Sequence, residues 1–472
     1  MPHRRLALPL VVTLVAGCVI APLDATGKRC SDSDPCPAPL VCGADLRCGA
    51  ASPGGGTGGN GGSGGSGGQG GSGGGLSGPP AVFQRLTFTT TSGDQTVPHA
   101  LGTTPAALLL WTVALPADGK QDTSIFGLGL SDGVHSRALA NLDTDSGGKT
   151  RAFSELDDAA LVWLAADGSV AGRATLLRWD ASGFVLRWTT APAAAVQVHA
   201  VVLGGASVRA EVSEWTTPAA PGNAGVSGLP FAPQAVLSLV TFVGPSTALG
   251  TRVAGSGFGL GVVEPRSQFA VAVARVDSDN SNYGSAHFQR ADRGLLGLSA
   301  ANQDFVVTLE GTGTLKPDGV QYQATTATDG ARRAVSLSLS MPFAQASRLL
   351  KTTAASPAEQ DLPLGATPGL ILAMSVNEAP LTKPTYDSLF SFGAGTGPSE
   401  VSAIGLRSQV GTPYTSRTQR SALFSVFTRT NAVSAEAQWT TTSDAGVTLT
   451  WAPNESRAVE VFTLALGATA AK

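Results

Sequence analysis

The 472-residue sequence predicts an all-β chain: three tandem antiparallel β-sandwich, jelly-roll-like domains behind a small disulfide-rich module and a glycine-rich linker. Three observations predict it. A turn-and-strand unit recurs at 180–188, 318–322 and 444–451, and each copy leads into a second apolar run ending at Gly204, Ser340 or Gly467. Within that unit apolar and polar residues alternate: Phe184, Leu186 and Trp188 against Val185 and Arg187, Val320 and Tyr322 against Gln321 and Gln323, and Val447, Leu449 and Trp451 against Thr448 and Thr450. A period of two describes strands with one face on a core and one toward solvent. From Ala81 onward helical periodicity is almost absent, and turn residues return every ten positions or so, as in a sandwich or barrel.

The first element is an address. His3, Arg4 and Arg5 form a positive start, and residues 6–16 form an apolar run too short to span a bilayer. The run ends Leu14, Val15, Ala16, Gly17, Cys18, which resembles the lipobox of a bacterial lipoprotein. The resemblance implies a signal peptide over 1–17, cleavage before Cys18 and a diacylglyceryl thioether on its sulfur. Acyl chains at about 0.8 kcal/mol per buried CH₂ would hold the chain at a membrane. Val19 rather than Asp follows the cysteine, which by analogy with Gram-negative lipoproteins favours the outer membrane or cell surface.

Residues 18–52 carry the remaining cysteines. Cys30, Cys36, Cys42 and Cys48 are evenly spaced, an even set in an exported chain, and read as two disulfides with three possible pairings. A segment this small has no core of its own, so the bridges would hold it together. Zinc is the rival reading, weakened by the lack of paired C-x₂-C spacing and of nearby histidine. Residues 53–80 are mainly Gly with Ser, Asn, Gln and Thr, a composition that spans ~5–6 Å × √n as a flexible tether. Gly61, Ser63 and Gly65 match the G-x-S-x-G pattern formally, but no strand precedes and no helix follows, so the match is coincidental.

The repeats are placed at 81–206, 207–343 and 344–472. Each opens on a turn closing at Pro105, Pro233 or Pro368, where the fixed φ starts a strand that is apolar on both faces. A Phe/Gly strand follows, with Phe126, Phe258 and Phe390 evenly spaced, the best internal evidence for duplication. A polar stretch containing an arginine, such as Arg290 or Arg420, precedes the closing hairpin. This order resembles a repeat module common in phage-encoded and phage-like, tail-associated bacterial proteins. The likeness covers all three repeats. It is weaker in the second, where Ala324 stands for the tryptophan and Ser340 for the final glycine, and it implies no catalytic residue.

Charge excludes some functions. Charged residues make up 14% of the chain against the usual ~25%, with a formal net charge of −3 and no basic run past the N-terminus, so nucleic acid is not expected as a partner. His99, His135, His199 and His287 are scattered and fit no metal or catalytic spacing. Asp157 and Asp158 are the only adjacent carboxylates in a repeat and have no counterparts. Asp277, Asp279 and Asn282 resemble a calcium loop without its glycine or distal glutamate. The Gly-x-Gly strings near Gly257 and Gly395 precede no helix and read as strands closely approached by another segment. Trp188 and Trp451 fall on the apolar face and belong to a core, whereas Trp179 and Trp439, just before the hairpin turns, are the candidates for an exposed binding platform.

The expectation is a non-enzymatic surface lipoprotein without cofactor or metal. It is held at the membrane through Cys18, and its repeats bind a glycan or an envelope or cell-surface protein with avidity. An assembly role like that of the phage-like modules is the alternative, and an envelope hydrolase a third reading. Oligomeric state is not legible in the sequence.

Overall fold

In a computed structural model, residues 40–42, 48–50, 80–88, 90–146, 149–277, 284–299, 305–409, 415–429 and 432–468 are described. Cys18, Cys30, Cys36 and the glycine-rich linker lie outside them. Leu40–Cys42 pairs antiparallel with Cys48–Ala50, which sets Cys42 opposite Cys48.

Beyond the linker the chain is all-β. Among the described residues each of the three segments supplies eleven strands in the same order, and these build one seven-stranded inner sheet and one four-stranded outer sheet. In the first segment the outer sheet runs Leu161–Leu164, Val170–Trp179, Gly183–Thr190, Gly93–Pro98. Its inner sheet runs Lys149–Asp157, Ser136–Ser146, Ser124–Ser131, Pro105–Thr112, Val196–Gly204, Ala81–Phe88, with a seventh strand that comes from the next segment.

That seventh strand closes a ring. Val253–Ala254 of segment two pairs with Lys149–Asp157 of segment one. Thr385–Tyr386 of segment three pairs with Ser285–Arg290 of segment two. Gly119–Asp122 of segment one pairs with Thr415–Arg420 of segment three. Each of these short strands turns back into its own segment through a residue of positive φ: Thr123 (71°), Gly255 (86°) and Asp387 (69°). The same joint thus occurs three times around one axis, the closed heterologous contact of a cyclic trimer, made here within one chain.

The two-faced apolar strands now have a physical reason. Along Pro105–Thr112, Ala107, Leu109 and Trp111 join a core shared by all three segments, while Leu108 and Leu110 join the first segment's own sandwich core. The shared core is layered along the axis. Leu109, Leu237 and Leu372 with Leu203, Leu339 and Leu466 line a seam with no room for a water molecule. Next come Phe126, Phe258 and Phe390, whose rings meet pairwise at 5.2, 5.8 and 4.9 Å. Beyond them lies a buried polar layer in which Arg275 faces Asp143 of segment one at 3.4 Å and donates to Ser388 Oγ of segment three at 3.2 Å. Burial pushes the Asp143 carboxyl up to about 6 although the guanidinium opposes it.

The Phe/Gly motif is explained by the same geometry. Phe126 points to the axis, and the glycines after it face the outer sheet. A Cβ at Gly129 would collide with the Ala160 carbonyl, one at Gly261 with that of Gly294 and one at Gly393 with that of Leu423. Polar contacts seal the joints between segments. Val212 N–H donates to Asp132 Oδ2 at 2.8 Å, Val376 N–H to Gln289 Oε1 at 2.9 Å, and His199 Nε2 lies 3.0 Å from Gln419 Oε1. Burial holds the imidazoles of His199 and His287 down at about 4, so both are neutral structural groups at neutral pH.

Candidate binding surface

The recurrent unit that organises the sequence forms the outer rim of each sandwich, where the closing hairpin meets the edge strand of the outer sheet. In segment one Asp180 caps the turn: its Oδ1 accepts from Ser182 N–H at 2.8 Å and Gly183 N–H at 3.1 Å. The Ser182 hydroxyl is the first of the bonds that hold the Asp180 carboxyl below its usual range. Short polar residues favour this self-capped turn because their side chains replace a backbone partner. In segment two Asp318 Oδ2 accepts from Gly228 N–H at 3.3 Å. In segment three Thr367 Oγ donates to the Ser443 carbonyl at 3.1 Å.

Grooves open at this rim at matching places in two segments. One of about 320 Å³ lies beside Asn223, Gly225, Lys316, Asp318 and Gln321. The other, of about 370 Å³, lies beside Asp361, Pro363, Ser443, Gly446 and Thr448. A third groove, of about 260 Å³, lies by Phe242, Asp277, Ser299 and Asp329. Its Arg332 is committed to the fold, paired with Asp329 and lying 4.3 Å over the Phe242 ring.

The tryptophans divide. Trp179 is half-buried, and its ring covers Gly133 so closely that a Cβ there would collide with it. Trp439 is only 2% exposed, and its Nε1 donates to Thr442 Oγ1 at 2.8 Å. The expected exposed platform is therefore corrected at Trp439, which belongs to the third segment's core. Nor are the two residues equivalent. Trp179 pairs with Phe184, whereas Trp439 pairs with Leu449, the counterpart of Leu186. Both strands carry a bulge at the same place, 176–178 and 439–441, with Trp439 before it and Trp179 after it. The true counterparts of Trp179 are Leu315 and Thr442.

The other expected groups are structural. His99 and His199 are buried, and His135 lies 3.3 Å from Asp132 in an exposed turn. Asp157 and Asp158 share Arg173, at 2.7 and 2.6 Å. Among the described residues no three His, Cys, Asp or Glu side chains gather as metal ligands would. Sequence reasoning missed the edge strands Gly93–Pro98, Gly222–Val226 and Ala358–Pro363 as parts of this surface. The signal available was their near-constant distance ahead of each Pro-initiated strand.

No family model, no curated protein and no solved structure matches the chain.

Proposed function

We propose that the chain is an exported, lipid-anchored binding protein, held at the outer membrane or cell surface through Cys18, that presents a rigid three-segment body to a protein partner without catalysing a reaction. The observation that carries this reading is the ring. A shared core and three exchanged strands fix the hairpin rims in space, so the surfaces act as one array rather than as beads on a tether. A protein is favoured over a glycan because the aromatic platform a sugar would stack on is missing at the counterparts of Trp179. Disulfides in the 18–52 module belong to the same reading, and the register that sets Cys42 opposite Cys48 supports pairing those two. The assembly reading, suggested by the resemblance to phage-like modules, draws support from the same ring, since a threefold body fits a threefold neighbour.

The test is to incubate the full chain with a glycan array and with isolated cell envelopes, intact and protease-treated. Saturable binding to intact envelopes that protease abolishes, with a silent array, is the expected result. Glycan binding, or binding that survives protease, would overturn the choice of partner. Filaments or higher rings of the chain alone would turn the reading to assembly.

A further inference from the structure

We propose that the outer sheet of segment two takes one extended peptide strand of a partner protein along Gly222–Val226, by β-strand addition. This rests on the binding reading above and names the site and the chemistry of its ligand.

The three segments serve as internal controls. In each, the outer sheet ends in an equivalent edge strand: Gly93–Pro98, Gly222–Val226 or Ala358–Pro363. An open edge carries backbone donors and acceptors that another extended chain can satisfy, and proteins blunt such edges with charge and proline. Segment one does so with Asp94, paired to Arg187 at 2.7 Å, and with Pro98 at the strand's end. Segment three does so with Glu359, Asp361 and Pro363. Segment two has neither device. Its edge strand reads Gly222, Asn223, Ala224, Gly225, Val226, without a charge or a proline, with Pro221 just before it, Asn223 exposed and the other four residues part-exposed.

The groove of about 320 Å³ lies on the sheet face beside this edge, lined by the edge strand and by the two strands next to it. One feature of that groove selects the ligand. Lys316 lines it, is exposed, and makes no salt bridge among the described residues, while Asp318, which lines the same groove, has its Oδ2 engaged by Gly228 N–H. The neutral edge calls for an uncharged, proline-free run of four or five residues. The Lys316 ammonium, on the strand Val307–Lys316 two places in from the edge, calls for a long acidic side chain reaching over the sheet face from the matching end of that run. Because the other two edges are blunted, the ring takes one strand, and its pseudo-threefold symmetry is broken at this point.

The experiment selects phage-displayed random dodecapeptides on the full chain. Enriched peptides are expected to share a proline-free neutral run flanked by an acidic group. They should bind one per chain and slow amide exchange at 222–226. Asn223→Lys, which places a charge on the edge, should weaken them by about tenfold or more. Lys316→Glu should weaken them by several-fold, and Gln95→Lys on the blunted edge of segment one should leave them unchanged. Failure to enrich any peptide, protection elsewhere, or full affinity in Asn223→Lys would overturn the proposal, as would pairing of two copies of the chain through 222–226. A chain that binds envelopes in the preceding test but no peptide would leave the binding reading standing and remove this one.

Discussion

Segment two reaches the same architecture as its neighbours with a differently built core. In segments one and three the closing hairpin supplies a tryptophan, Trp188 or Trp451, whose Nε1 donates to Gln95 at 3.2 Å or Gln360 at 3.0 Å. The first strands of those segments place Leu86 and Leu349 across the sandwich. In segment two the hairpin position is Ala324, and the matching place on the first strand is Trp215, stacked on Tyr322 at 5.1 Å and 8°. Bulk has moved from the outer sheet to the inner one, with the pair of positions still holding one large and one smaller side chain. The exchange also carries polarity inward. Trp215 Nε1 donates to Ser336 Oγ at 2.8 Å, and Ser336 and the Tyr322 hydroxyl both meet Ser238. Sandwich interiors are thus locally negotiable, and so are some shared-core positions, such as Trp111, Leu239 and Met374, whereas one layer of the axis keeps phenylalanine in all three copies. The difference teaches that the constant element is the meeting of three rings at the axis, while bulk is exchanged between positions elsewhere.

The strongest way to break that contrast is at the axis. Phe258→Ala removes one ring of three that contact one another and is expected to cost about 3–5 kcal/mol. Because the ring joins all segments, urea unfolding of the full chain should remain one transition and shift as a whole. A separate early transition confined to Trp215 fluorescence would show that the segments unfold independently, and would sink the claim that the axis governs stability.

The exchange between sheets is the next test. Trp215→Leu should cost about 2–4 kcal/mol by leaving a cavity, and Ala324→Trp about 1–3 kcal/mol by overpacking. Together they restore the arrangement of segments one and three, so the double variant should recover a large part of the loss, read as a coupling of more than about 1 kcal/mol in denaturant melts. Additive losses would mean that the two positions do not compensate each other.

This compensation marks the limit of what the sequence discloses. Alternation at Val447, Leu449 and Trp451 identified the face that is buried, and all three are buried. The spacing of Phe126, Phe258 and Phe390 pointed to duplication, and the glycines beside them to close approach of another segment. Alternation reports a face, however, and not the neighbour across it, so the meeting of the three rings and the exchanged strands could not be read. Ala324 looked like a loss because its compensation, Trp215, lies in a different sheet and far away along the chain. Trp439 was misplaced because nearness to a turn was taken as exposure, whereas a bulge after it sets it opposite Leu449 with its side chain in the core. At the binding surface the hairpins were visible as a repeat. The open edge of segment two became visible only when strand order showed which strands end a sheet.

The smallest expected effect refines the comparison between the two ways of placing a tryptophan. Both indoles donate a hydrogen bond, but the acceptors differ in their access to water. Gln95 lies half-buried on an edge strand, and water can take its place beside Trp188 when it is removed. Ser336 is fully buried between the sheets, where its loss leaves Trp215 Nε1 without a partner and the Ser238 hydroxyl with Tyr322 alone. An unmade buried bond costs about 1–3 kcal/mol, and one that water replaces costs less. Ser336→Ala should therefore destabilise the chain by about 1–3 kcal/mol and Gln95→Ala by less than about 1 kcal/mol, measured in the same denaturant series. Equal losses would show that the polar interior of segment two is no more exacting than the rim of segment one, and that its serines fill space without selecting the position of Trp215.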